Sequence, residues 1–106
     1  MMSILVIDDD KLVAKTIDRA LSIHGYKVET ATSGDDAINK TKIHNYDIVL
    51  SDIRMPKMDG VETLNNIGGN SKKLLMTGFS DIYDESCGVK CLMKPFGIND
   101  LLEHLK

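Results

Sequence analysis

Four groups of residues in this chain have the types and spacing for chemistry: the acidic run Asp8-Asp9-Asp10, the acid Asp52, the hydroxyl of Thr77 and the ammonium of Lys94. Each follows a short apolar run: Ile4 to Ile7, Ile48 to Leu50, Leu74 to Met76, and Leu92-Met93. If those runs are strands of one open parallel sheet, their carboxyl ends form a common rim, and that rim is where such sheets bind ligands. Several carboxylates brought together repel, by roughly 4 kcal/mol for two unit charges 4 Å apart at an effective dielectric of 20. A bound cation or raised pKa values relieve that repulsion. Oxygen donors select a hard divalent ion, and a few carboxylates completed by water suit Mg²⁺. A magnesium ion so held commonly takes a phosphate oxygen as well. A lysine adds a point charge for that phosphate and a threonine adds a hydrogen bond. The constellation describes phosphoryl transfer to a carboxylate nucleophile.

The stretches between these residues must supply the sheet. Residues 3–7 are continuous and apolar, as in a strand buried on both faces. Residues 11–24 place Val13, Ile17, Ala20 and Leu21 on one helix face, with Asp10 positioned to cap the start and Gly25 to close the end. Residues 27–31 read as a second strand. Thr32-Ser33 offers an N-cap, with Asp35 and Asp36 in the first turn of a helix reaching about residue 44. A third strand covers 47–51, a loop 56–60 and a short helix 61–67, after which Gly68-Gly69-Asn70 breaks the chain. A fourth strand covers 73–76. Residues 77–89 lack a clear apolar period, a fifth strand ends at Leu92-Met93, and a last helix capped by Asn99 runs to 105. Strand and helix alternate throughout, which predicts a doubly wound α/β fold on a parallel sheet. At 106 residues the chain fits one domain, expected over residues 1–106.

Composition removes several classes of function. The formal net charge is −3 and no Lys/Arg-rich run occurs, so direct nucleic-acid binding is not expected. Apolar runs are too short to span a bilayer, no secretory signal is expected, and a cytoplasmic location follows as the expectation. Cys87 and Cys91 lack companion ligands for a metal and read as reduced thiols. His24 and His44 fall near helix ends, where solvated or capping roles are expected.

Taken together, Val6-Ile7-Asp8-Asp9-Asp10, the stretch Asp52-Ile-Arg-Met55-Pro56-Lys-Met58-Asp59-Gly60, Thr77-Gly78 and Lys94-Pro95-Phe96 resemble the receiver domain of two-component response regulators. The four pieces occur in the family's order, and the resemblance covers nearly the whole chain. It implies a flavodoxin-like sheet of five parallel strands in the order 2-1-3-4-5. It implies that Asp52 accepts a phosphoryl group from a sensor histidine kinase or phosphotransfer protein. It implies that Mg²⁺ is held by Asp9 directly, Asp8 through water, Asp52 and the backbone carbonyl of Arg54. Thr77 would hydrogen-bond the phosphoryl group and Lys94 would pair with it. The domain would catalyse only its own phosphorylation and dephosphorylation, and would signal to a downstream protein or an output domain.

Two departures stand out. Family members usually carry Tyr or Phe three residues before the lysine, where this chain has Cys91. The stretches from Asp52 to Thr77 and from Thr77 to Lys94 are short, so the fourth helix is expected to be shortened or missing, with an irregular loop at 80–88. Both leave open how phosphorylation is read out, and keep a pseudo-receiver, a binding module independent of phosphorylation, as the alternative. A phosphatase similar to the haloacid dehalogenases would need a second Asp two residues after the nucleophile, where this chain has Arg54.

Overall fold

The structure is a computed structural model. It describes residues 2–53, 55, 57–77 and 90–93, with Thr77 and residues 90–93 described in backbone only. Five strands and three helices are formed in these residues: β1 (Ser3–Ile7), α1 (Lys11–Ile23), β2 (Lys27–Ala31), α2 (Gly34–Ile43), β3 (Ile48–Asp52), α3 (Gly60–Asn65), β4 (Lys72–Thr77) and β5 (Lys90–Met93). All pairings are parallel and the order is β2-β1-β3-β4-β5, as the resemblance implied. The expectations for the fourth helix, the loop at 80–88 and the last helix lie outside the described residues.

The central strands are apolar on both sides because both faces are covered. Ile4, Val6, Ile48, Leu50, Leu74 and Met76 pack with Ala14, Ile17 and Leu21 of α1 on one face. Leu5, Ile7, Val49 and Leu75 pack with Ala37, Leu64 and Ile67 on the other. Each fully buried Leu or Ile contributes roughly 1.5–3 kcal/mol by leaving water, so neither layer is optional.

The helix starts are set by short polar side chains. Asp10 accepts from the amides of Leu12 and Val13, Ser33 from Asp36, and Asp59 from Glu62. His24 closes α1, its Nδ1 2.9 Å from the Ala20 carbonyl, and Gly25 turns the chain at φ +91°, a conformation natural to glycine.

β3 is displaced by one residue from its expected span. Asp47 lies before the strand, where its carboxylate accepts from the Ser3 amide at 2.8 Å. Asp52 is instead the last residue of β3, paired with Met76 of β4. β4 likewise extends through Thr77, and α3 begins one residue early at Gly60 and ends at Asn65.

Candidate functional site

The chain leaves β1 for β2 through α1, then returns across β1 to β3 through α2. The strand order therefore reverses between β1 and β3, the position where an open α/β sheet offers a crevice. Asp8 and Asp9 follow β1 there, and Asp52 ends β3 beside them.

One carboxylate oxygen from each of Asp8, Asp9 and Asp52 lies within 4.8 Å of the others. Asp8 is 1% exposed and Asp52 9%, whereas Asp9 faces solvent. Asp8 is oriented by the amide of Asp10, which donates to its Oδ1 at 2.9 Å, and its own amide donates to the Ala31 carbonyl at 3.0 Å. Asp10 is spent on capping α1 and stands apart from the cluster. The acidic run after β1 thus divides into one buried carboxylate, one exposed carboxylate and one cap.

Two buried acids and a third beside them, with only oxygen donors, make a setting that favours a hard cation. Opposite ligands of an octahedral Mg²⁺ stand roughly 4.2 Å apart, twice the usual bond length. A 4.8 Å spread is close to that span, and the donor set fits the ion.

Around Asp52 the backbone is closely held. Gly60 donates its amide to the Ile53 carbonyl at 2.8 Å. A Cβ at Gly60 would lie 2.8 Å from Ile53 Cα and 2.9 Å from the Asp52 carbonyl carbon, and closer still to the Asp52 oxygen. Only glycine lets α3 approach β3 this closely. Lys57, in the same loop, has φ +68°, a conformation costly for a side-chain-bearing residue. At the start of α2, a Cβ on Gly34 would meet Met58 Sδ at 2.8 Å and the Thr63 hydroxyl, so α2 also leans on the segment after β3 through a glycine.

Asp8, Asp9 and Asp52 are brought together as the sequence suggested. The backbone of Thr77 ends β4 one residue beyond the partner of Asp52, and it pairs with Met93 of β5. The chain position of Lys94 therefore directly follows a strand adjoining β4. The side chain of Thr77, and Arg54 and Lys94 altogether, lie outside the described residues. Cys91 pairs with Leu75 in the β4–β5 ladder. Ser51, which the sequence pattern does not single out, is fully buried beside Asp52, and its hydroxyl donates to the Asp52 carbonyl at 3.0 Å. A lone hydroxyl in the apolar run before Asp52 was the available signal.

Comparison with known proteins agrees with this geometry. A family model described as the response regulator receiver domain matches residues 4–106. The transcriptional regulatory protein CpxR homolog of Haemophilus influenzae is 33% identical, over all of this chain and 49% of its own length. The response regulator ArlR of Staphylococcus aureus is 28% identical, over all of this chain and 52% of its own. The chain thus spans about half the length of the curated relatives it matches. Among solved structures, a response regulator receiver domain protein from Clostridium thermocellum superposes with a TM-score of 0.90 at 29% identity, covering 99% of this chain and 91% of that one. The response regulator TrrA from Thermotoga maritima, solved in complex with Mg²⁺-BeF, gives 0.90 at 30% identity, covering 99% and 96%. A carboxylate cluster at the reversal of a 2-1-3-4-5 sheet, matched along nearly its whole length, has one consistent explanation: the chain belongs to the response regulator receiver domains of two-component systems.

Proposed function

We propose that the chain is a phospho-acceptor switch in which Asp52 takes a phosphoryl group from a sensor histidine kinase or phosphotransfer protein. The observation that carries this reading is the convergence of Asp8, Asp9 and Asp52 within 4.8 Å, at a strand end where Asp52 is nearly buried. A carboxylate oxygen of Asp52 attacks phosphorus in line. The phosphorus–nitrogen bond of the phosphohistidine breaks, its electron pair stays on the imidazole nitrogen, and an acyl phosphate forms on Asp52. Such a transfer is catalysed mainly by positioning and charge neutralisation.

Asp9, Asp8 through water, Asp52 and the Arg54 carbonyl would hold Mg²⁺, which supplies the charge that lets an anionic donor approach an anionic acceptor. Thr77 would donate to a phosphoryl oxygen and Lys94 would pair with the group. The Mg²⁺-bound relative from Thermotoga maritima supports the choice of ion. The resulting switch acts in the cytoplasm on a downstream protein or an output domain.

The test is incubation with Mg²⁺ and phosphoramidate, followed by intact mass spectrometry. We expect one hydroxylamine-labile phosphoryl adduct on the native protein, and none on Asp52→Asn or in EDTA. Absence of the native adduct, or an equal adduct on Asp52→Asn, would favour a binding module that no longer accepts phosphate.

A further inference from the structure

The peptide linking Asp52 to Ile53 is gripped from three sides. Its carbonyl oxygen accepts from the Ser51 hydroxyl at 3.0 Å. Its amide donates to the Met76 carbonyl of β4 at 2.9 Å. Behind it stands Gly60, with no room for a Cβ, tied to the next carbonyl at 2.8 Å. The β1–β3 register ends at Ser51, so this peptide lies just past the two-sided part of the ladder. Supplementary restraints act where strand pairing on one side stops.

The orientation of that peptide sets the direction of the Asp52 Cα–Cβ bond, and so the position of the carboxylate. Catalytic groups must be held to about 0.5 Å and 10–20° by the shell that supports them. Ser51 alternates with Asp52 along β3, and its ladder partners Ile7 and Leu75 belong to the layer covered by α2 and α3. Its hydroxyl has no access to solvent. Burying a hydroxyl in an apolar layer costs free energy unless it is hydrogen-bonded, and here the partner is the carbonyl of the acceptor itself.

We infer that Ser51 is a positioning residue for phosphoryl transfer: with Gly60 it locks the Asp52–Ile53 peptide so that the acceptor carboxylate is held in line for attack. The inference rests on the reading of Asp52 as the acceptor. Ser51 touches neither donor nor phosphoryl group and acts only through this peptide. Removing its hydroxyl takes one donor from a buried carbonyl and loosens one of the three restraints on the peptide.

Three variants decide it. Ser51→Ala removes the hydroxyl, Ser51→Thr keeps it while adding a buried methyl, and Gly60→Ala pushes on the same peptide from behind. Phosphorylation by phosphoramidate is followed at saturating Mg²⁺, at a temperature where each variant is folded. Amide exchange at Ile53 is measured in the metal-free protein, and Tm is recorded for each. We expect Ser51→Ala to slow transfer about tenfold, short of the roughly hundredfold that a 1 Å misplacement costs, and to speed exchange at Ile53. Ser51→Thr is expected to lose Tm through overpacking yet keep its transfer rate to within about threefold, since its hydroxyl survives. Rate and Tm then move separately, which a purely structural role does not produce. Gly60→Ala, where it folds, is expected to slow transfer as well.

A native protein that forms no adduct would remove the acceptor reading and this inference with it. A native protein that forms the adduct, with Ser51→Ala equally fast or with rates following Tm across the variants, would remove this inference alone.

Discussion

At the scale of single residues, the site is a local conflict kept by the fold. Asp8, Asp9 and Asp52 share a small volume, and without a cation their charges oppose folding. Asp52→Asn should therefore stabilise the metal-free protein. About 1 kcal/mol of relief corresponds to a rise in Tm of roughly 4–8 °C for a domain of this size. Adding Mg²⁺ to the native chain should stabilise it further, by about 2.7 kcal/mol at a hundredfold excess over Kd, and should do much less for Asp52→Asn. Calorimetry in EDTA and in Mg²⁺ checks both halves. A variant less stable than the native chain in EDTA would mean that the cluster is not under strain.

At the scale of elements, the end of the sheet opposite the site is fastened by a different polar group. Tyr46, just before β3, is 6% exposed, and its phenol donates to Glu29 on β2. Burial pushes the Tyr46 phenol above its ordinary value of 10.0, and the hydrogen bond and negative charge of Glu29 push it the same way. The folded-state value is raised, so this stabilisation is fully present below the unfolded pKa and is lost as pH rises beyond about 10. Tyr46→Phe should flatten the alkaline fall in stability and cost about 1 kcal/mol at neutral pH through the lost hydrogen bond. Urea denaturation at pH 7 and at rising alkaline pH reads both, and an alkaline slope unchanged by the substitution would assign it to other groups.

At the scale of the whole molecule, two apolar layers share one sheet. Leu74 and Leu75 are neighbours in β4, each fully buried, and they enter opposite layers. Leu74→Ala and Leu75→Ala should each cost about 2–5 kcal/mol. Each should shift a single transition in which circular dichroism and tyrosine emission coincide, tyrosine being usable because the chain has no Trp. Separated transitions would show that the layers unfold independently. The architecture was legible because the alternation of apolar runs with helical periods is a long-range pattern that a one-residue error does not disturb. The carboxylates were legible because they recur at strand ends. The strand limits were not, since at β3 the ladder fades gradually: Asp47 still joins Ser3 and Lys72 through its backbone, although residue pairing begins at Ile48. Ser51 was overlooked because its partner is the carbonyl of the next residue, a contact with no periodic signature. Gly34 and Gly60 matter through neighbours distant in sequence, Thr63 for the first and the Asp52–Ile53 backbone for the second, and such meetings appear only once the layers close.

The outer strand of the sheet carries a last consequence. In β2, Lys27 and Ala31 turn their backbone groups toward β1, so by alternation Thr30 turns its carbonyl away from the sheet. That carbonyl accepts from the ammonium of Lys40, which reaches across from α2 and also stands 3.7 Å from Asp36. An outward carbonyl is half of a template for recruiting a strand from another molecule. Here a cation on a neighbouring helix occupies it, and a second chain docking along β2 would have to displace a charge to make a ladder bond to Thr30. The lysine that ties helix to strand thus also blunts the open edge of the sheet at that position.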